Sequence, residues 1–288
     1  MSGVPNVCII DGSTPESCDL NGMSGWRCPA CLLMWRQSFD VPLSHYEDAD
    51  ASFSSEKAAL QRRNIHDRIN TIRRHIDCSY SCDVGCSKGY FVEALIEAGY
   101  THVYGIDPNR AQIEAAQARG VPVLTGSTET MAPLFKERST RTAMLFHVIE
   151  HLSDPFAVLK DIHAALPDKG LLVVETPDFQ SYSLRKTNYH HKLVYPEHLF
   201  YYSFTNLQTF LRNNGFEIVY AGKRDFDPNH LPVRECLFRL GFLGISSTPS
   251  LFERIVCRVL RPVVPVLSVL VRVVGRQNFS IIIARKVS

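Results

Sequence analysis

Between residues 79 and 284, short apolar runs alternate with segments of helical periodicity, and this alternation restricts the possible folds more than any other feature of the chain. Strands are predicted at 79–84, 102–106, 122–125, 142–146 and 170–175, with two more at 216–220 and 279–284. Helices are predicted at 90–98, 109–119, 155–166 and 205–214. The third helix begins with Asp154 ahead of Pro155, and the fourth stops at Gly215. A strand that is followed by a helix cannot turn straight back on itself, so successive strands lie parallel. The expected architecture is α/β: a doubly wound, mainly parallel seven-stranded sheet. One more helix is predicted over 55–76, where Leu60, Ile65, Ile69, Ile72 and Ile76 recur at helical spacing.

Composition narrows the class. The 288 residues are 45% hydrophobic and 21% charged, the balance of a soluble globular chain. A net charge of only +2 argues against a nucleic-acid binder held by phosphate contacts. The opening MSGVPNVCIIDGS lacks a basic region followed by an apolar run, and no uncharged apolar run reaches about eighteen residues, so neither an export signal nor a spanning helix is expected. The nine cysteines are then expected in a cytoplasmic setting, as thiols or metal ligands rather than disulfides.

The segment Cys82-Asp83-Val84-Gly85-Cys86-Ser87-Lys88-Gly89-Tyr90-Phe91 leaves the first of these strands and enters a helix. Gly85 and Gly89 allow the backbone to turn tightly beneath a ligand, in the crevice beyond the strand ends where such sheets bind. The second strand ends in Gly105-Ile106-Asp107-Pro108, and Asp107, 22 residues after Gly85, is placed to accept both hydroxyls of a ribose. Dinucleotide-binding turns share this geometry. The strings DVGCSKGYF and YGIDPN together resemble the first two motifs of class I S-adenosylmethionine-dependent methyltransferases, which have a Rossmann-like fold. The resemblance implies that Asp83, Gly85, Cys86, Gly89, Asp107 and Pro108 bind S-adenosylmethionine, with Ser127 and Phe146 completing the pocket. Ser87 stands where the family has a glycine, and Ser127 where it has an acidic residue.

On the acceptor side, HVIEHLSDP, ETPD and EHLFYYSFTNLQTFLRNNGFEIV resemble a methyltransferase group that includes quinone-precursor O-methyltransferases and deoxysugar methyltransferases. Methyl transfer from a sulfonium needs an aligned nucleophile and often a base, a role that suits histidine near neutral pH. Tyr195-Pro196-Glu197-His198 is similar to the stretch that carries base chemistry in sugar C-methyltransferases, which implies that role for Glu197 and His198, and His147 is the third catalytic candidate. A rival reading joins His147, Glu150 and His151, with His198, around a divalent cation. Small-RNA terminal 2′-O-methyltransferases and some quinone O-methyltransferases use a similar carboxylate–carboxylate–histidine set, whose first carboxylate is His147 in this chain. On the simpler reading, Glu150 and His151 only shape the cofactor pocket.

Residues 1–45 read as a small zinc-ribbon-like module ahead of a methyltransferase domain over 46–288, with a polar linker near 46–55. Cys28-Pro29-Ala30-Cys31 supplies two thiolates on a tight turn, and Cys8 with Asp11 repeats the spacing, with aspartate in place of a second cysteine. Zn2+ held by Cys8, Asp11, Cys28 and Cys31 is one outcome, Cys18 is a substitute ligand, and a metal-free ribbon packed around Trp26, Leu33, Trp35 and Phe39 is the other. Two-domain sugar methyltransferases often carry such a ribbon.

The final unusual feature is an insertion at about 227–278, where arginines edge two apolar segments broken by Pro262 and Pro265. It suits helices lying in a membrane surface, or a pair packed on the domain or on a second subunit. The expected function is S-adenosylmethionine-dependent methylation of a small-molecule acceptor: a sugar, a glycan precursor or a quinone-like ring. The alternatives are a metal-assisted RNA 2′-O-methyltransferase and a degraded methyltransferase fold that serves as a binding module.

Overall fold

The computed structural model describes residues 3–40, 55–225, 231–244 and 250–287. The linker expected near 46–55 lies outside them except for its last residue, as do residues 227–230 and 245–249 of the insertion. The main sheet has seven strands: β4 (Ser81–Val84), β5 (Tyr104–Asp107), β6 (Val123–Thr125), β7 (Thr142–Phe146), β8 (Leu171–Pro177), β10 (Phe216–Arg224) and β11 (Phe279–Lys286). Their order is β10-β11-β8-β7-β4-β5-β6, as expected of a doubly wound sheet. The pairs from β8 to β6 are parallel, whereas β11 runs antiparallel to both β8 and β10. Every residue of β4 and β7 is buried, as a parallel sheet covered on both faces requires.

Helices α1 (Ser55–Ile72), α2 (Tyr90–Glu97), α3 (Arg110–Gln117), α4 (Thr128–Glu137), α5 (Pro155–Ala165), α6 (Tyr182–Lys186) and α7 (Phe204–Asn213) connect or flank these strands. Asp154 caps α5 by accepting from Ala157 N at 2.9 Å. Helix α1 stops at Ile72, short of the expected 76, and 73–76 leave it through turns. Helix α4 was not expected, because Pro133 interrupts its pattern; it is nevertheless tied to the core by Met131 and Phe135.

The N-terminal residues form β1 (Glu16–Leu20), β2 (Met23–Arg27) and β3 (Met34–Arg36), each antiparallel to the next. A fourth strand, β9 (Phe200–Tyr201), comes from the other end of the chain and pairs with β3 through Met34–Tyr201 and Trp35–Phe200. Cys8, Ile10, Cys28, Leu33 and Trp35 share one apolar core with Phe200, Tyr202 and Phe210. Burying side chains of this size contributes about 2 kcal/mol each, which is how a segment with so little regular structure stays ordered. The ribbon is thus welded to the segment that carries Glu197 and His198.

Candidate active site

The turn from β4 to α2 passes three times through the left-handed region, at Gly85 (φ 78°), Ser87 (φ 49°) and Gly89 (φ 73°). A Cβ on Gly85 would lie 2.6 Å from Val148 Cγ2, so this position is closed to any side chain. Ser87 takes the same conformation with a side chain, at a cost of about 1 kcal/mol. Its N–H donates to Asp107 Oδ2 at 2.8 Å, and its hydroxyl donates to Gln112 Oε1 at 2.6 Å. Asn109 N–H donates to Asp107 Oδ1 at 2.8 Å. The Asp107 carboxylate is therefore oriented from both sides and keeps further lone pairs for a diol.

Two clefts meet over Gly85, Ser87 and His147. The larger, 670 Å³, contains Asp107, Pro108 and Ser127, with His151 and Leu152 on its far wall. The smaller, 270 Å³, contains Asp83, Cys86 and Phe146, with Asn64 and Arg68 from α1. Seven of the eight proposed cofactor residues line one or both clefts. The eighth, Gly89, faces inward instead: its absent Cβ would sit 3.1 Å from Val121 and 3.2 Å from Val123, so it serves helix packing. Burial drives the Asp83 carboxyl up to about 7, which Arg68 opposes and Asp107 reinforces. A buried carboxyl poised in this way gains from an arriving cation.

Behind His147, which lines both clefts, lies a buried ionic cluster for which the sequence assigned no roles. Glu175, at the end of β8, accepts from Arg68 Nε at 3.1 Å and Nη2 at 2.7 Å, and from Arg224 Nη1 at 2.9 and 3.0 Å. Arg224 Nη2 also donates to Asn64 and to Asp67, at 2.8 and 3.0 Å. The Arg68 guanidinium lies 4.3 Å from the Phe146 ring centroid, so the cluster also forms a wall of the smaller cleft. Burial would raise the Glu175 pKa, but Arg68 and Arg224 hold it well below the carboxylate range.

His147 joins this cluster to a second one. Its Nε2 is 3.1 Å from Glu175 Oε1 and its Nδ1 is 3.4 Å from Glu150 Oε1. Burial lowers the His147 pKa, yet its contacts with Glu150 and Glu175 outweigh burial and leave it raised. Glu150 is fully buried, and apart from the long contact with His147 neither of its side-chain oxygens is closed by a well-aligned hydrogen bond. Burial pushes its carboxyl up, but His147 above all keeps it below the usual value.

The cation-sized group in this region is Glu150, His151 and His198, whose ligand atoms lie within 4.8 Å of one another. Of the four residues expected around a cation, Glu150, His151 and His198 converge, whereas His147 has both nitrogens turned to carboxylates. His151 Nδ1 is 2.8 Å from the Glu197 carbonyl and His198 Nδ1 is 3.0 Å from the Leu193 carbonyl. A carbonyl only accepts, so each Nδ1 carries a hydrogen, and in the neutral ring the lone pair is on Nε2. The undersaturated Glu150 oxygens and two imidazole lone pairs form a mostly accepting set that suits a divalent cation or a proton in transit. His198 is 1% exposed, and burial lowers its pKa to about 4 against the pull of Glu150, so it is neutral at pH 7. Glu197 enters the arrangement through its backbone carbonyl.

The ribbon brings Cys8, Asp11, Cys28 and Cys31 within 4.8 Å of one another. Cys8 and Cys31 Sγ are 3.5 Å apart, and the Cys28 thiol donates to Asp11 at 3.3 Å. Ile10 N–H points at Cys8 Sγ and Cys31 N–H at Cys28 Sγ, at 3.4 and 3.3 Å, the backbone donors that steady a thiolate. Contact with Cys31 brings the Cys8 thiol down to about 7 against burial. Three sulfurs and one oxygen suit tetrahedral zinc. Cys18 is not part of this group. Asn206 Nδ2 donates to the Cys31 carbonyl at 3.2 Å, and Leu199 N–H donates to the Glu150 carbonyl at 2.8 Å, so the 199–206 segment is tied to both the knuckle and the buried glutamate.

Residues 57–221 match the family described as a methyltransferase domain. A ubiquinone biosynthesis O-methyltransferase of Bradyrhizobium diazoefficiens is 27% identical, in a match covering 53% of this chain and 69% of that protein. The C-methyltransferase NovU of Streptomyces niveus is 28% identical, in a match covering 48% of this chain and 32% of NovU. Among solved structures, an S-adenosylmethionine-dependent methyltransferase of Archaeoglobus fulgidus superposes with a TM-score of 0.51 at 19% identity, covering 81% of this chain and 100% of that one. Magnesium protoporphyrin IX methyltransferase of Synechocystis, solved with S-adenosylhomocysteine, gives 0.50 at 12% identity, covering 84% and 92%. With the family match spanning more than half of its residues, the chain belongs to the class I S-adenosylmethionine-dependent methyltransferases.

Proposed function

We propose that this methyltransferase acts on a small molecule, through a hydroxyl or activated carbon of a sugar, a glycan precursor or a quinone-like ring. The observation that carries this reading is the pair of clefts meeting over Gly85 and His147, one floored by Asp83 and the other by Asp107. The smaller cleft suits the amino-acid end of S-adenosylmethionine, whose ammonium would stabilise the Asp83 carboxylate. The larger suits the ribose and base, with Asp107 accepting from the diol. Bound there, S-adenosylmethionine supplies a methyl group on a sulfonium, which leaves as a neutral thioether. The acceptor's electron pair forms the new bond to the methyl carbon, and its proton passes to a base.

We assign that base to His151, which lines the larger cleft, whereas His198 is buried behind it. The Glu197 carbonyl fixes the His151 tautomer so that Nε2 is free to take a proton. His198 and Glu150 stand behind that nitrogen as positioning groups. The mostly accepting set supports a second reading: Glu150, His151 and His198 would hold a divalent cation, which would acidify a bound hydroxyl. Zinc at Cys8, Asp11, Cys28 and Cys31 would be structural and would set β9, hence His198, against the site.

Calorimetry with S-adenosylmethionine is the first test, with saturable binding expected; no heat at millimolar ligand would sink the reading. Chelation separates the two roles of the trio. Activity that survives chelator supports the histidine base, and activity lost and restored by magnesium or manganese supports the cation.

A further inference from the structure

We propose that the insertion between β10 and β11 is a surface anchor for anionic membranes, which lies in the lipid interface without crossing it. Within it, α8 (Val233–Leu240), α9 (Leu251–Val259) and α10 (Val264–Val273) fold as a helical cap, with a short 3-10 turn at Arg261–Val263 where the prolines interrupt the pattern. Helix α10 is held on one face only. Val271 packs with Cys236 and Leu231, and Ser268 is buried beside it. The opposite face carries Val266, Val269, Leu270 and Val273, exposed by 61, 49, 45 and 76%. Helix α9 has no buried residue at all, and Leu251, Phe252, Ile255 and Val259 are exposed by 73, 72, 54 and 68%. At about 100° per residue, those four occupy a single stripe.

Isolated apolar residues on a surface need no explanation, but a concentration does. Of the seventeen large apolar side chains exposed among the described residues, ten fall between 251 and 274.

Charge identifies what covers this face. Residues 250–278 hold Arg254, Arg258, Arg261, Arg272 and Arg276 against Glu253 alone, in a chain whose net charge is only +2. Arg254, Arg258 and Arg261 follow one another at helical spacing along the edge of the apolar stripe, where long cationic side chains reach lipid phosphates while their stems stay with the acyl chains. A second copy of the chain would bring two such arginine-rich faces together, so an anionic surface is the better complement. No helix among the described residues is long and apolar enough to cross a bilayer, and helices of nine and ten residues extend only about 15 Å. The anchor also has an orientation. It leaves and rejoins the sheet where Arg224 pairs with Phe279, and Phe279 pairs with Pro177 and lies 5.4 Å from the His147 ring. Docking would therefore bring the ligand end of the sheet to the membrane.

Flotation of the full chain with phosphatidylcholine vesicles, alone or mixed with phosphatidylglycerol, tests this. The expected result is flotation with the mixed vesicles, weakened by salt, and little with the neutral ones. Phe252→Glu with Val259→Glu should weaken vesicle binding at least about tenfold, and Arg258→Ala and Arg261→Ala about fivefold each. All four residues are exposed and outside both clefts, so circular dichroism and S-adenosylmethionine binding should stay unchanged. The proposal is overturned if the chain stays out of the mixed-vesicle fraction, if neutral vesicles bind it equally well, or if the glutamate pair floats like the parent. It is also overturned if light scattering finds a dimer that Phe252→Glu dissolves while no vesicle binding occurs, because a second copy would then cover the face.

Discussion

Glu175 and Glu150 are both fully buried and stand on either side of His147, yet their surroundings are opposite. Glu175 is saturated by two arginines and an imidazole. Glu150 has only a long 3.4 Å contact with His147 and faces the imidazoles of His151 and His198. A saturated buried carboxylate braces a scaffold, whereas an unsaturated one keeps capacity for something that arrives. Burial alone therefore does not distinguish structure from function; the number of donors around the group does.

Substitution at each glutamate tests the contrast. Glu175→Gln removes the buried counter-charge that Arg68 and Arg224 share, leaving Asp67 as the carboxylate on Arg224, and should lower stability by about 3–5 kcal/mol in urea unfolding. Glu150→Gln, which gives up only the long 3.4 Å contact with His147, should cost less stability than Glu175→Gln, about 1–2 kcal/mol. It should nevertheless slow methyl transfer by about 100-fold or more, through loss of either the proton path or the cation. Equal stability losses at the two positions would break the comparison.

Asp83 is a third buried carboxyl, and its pKa sharpens the same contrast. Since burial raises it to about 7, a proton occupies the carboxylate below that pH and the cofactor ammonium must displace it. S-adenosylmethionine affinity should be level above pH 7 and fall about tenfold per unit below it. Asp83→Asn should flatten that profile in calorimetry across pH 5.5–8 (roughly the range in which one such group titrates). The smallest effect is expected at Ser87. Ser87→Gly relieves the left-handed strain at the loss of one exposed hydrogen bond, so stability should change by less than about 1 kcal/mol and cofactor affinity by less than about threefold.

The cofactor half of this site was legible because it is local in sequence. Gly85, Asp107 and Pro108 follow strands that announce themselves by their apolar runs, and the strand-end rule places them together. The ionic half was not. Arg68, Glu175 and Arg224 come from α1, β8 and β10, and no periodicity reveals that three such distant residues converge on one carboxylate. ETPD drew attention to Glu175 without giving it a role. Glu150 and His198 were visible as residues, but their burial depends on β9, a two-residue strand too short to leave a pattern. His151 was read as a ligand or pocket residue; its place on the cleft wall is a tertiary fact. Helix α8 was hidden within the insertion because a short helix relies on its neighbours more than on its own periodicity, whereas α4 was masked by Pro133.

The pairing of β3 with β9 sets an order of assembly. The four donor atoms of the cysteine knuckle are all present once residue 31 has been made, whereas the strand that completes the small sheet comes near residue 200. As the chain emerges, the knuckle can close locally while β3 remains an open edge with Trp35 uncovered. The contact that covers it spans most of the polypeptide and is slow to form. The loop carrying His198 is thus fitted against a strand already waiting for it, late in folding, and a chain stalled before β9 would present that edge to chaperones or to other chains.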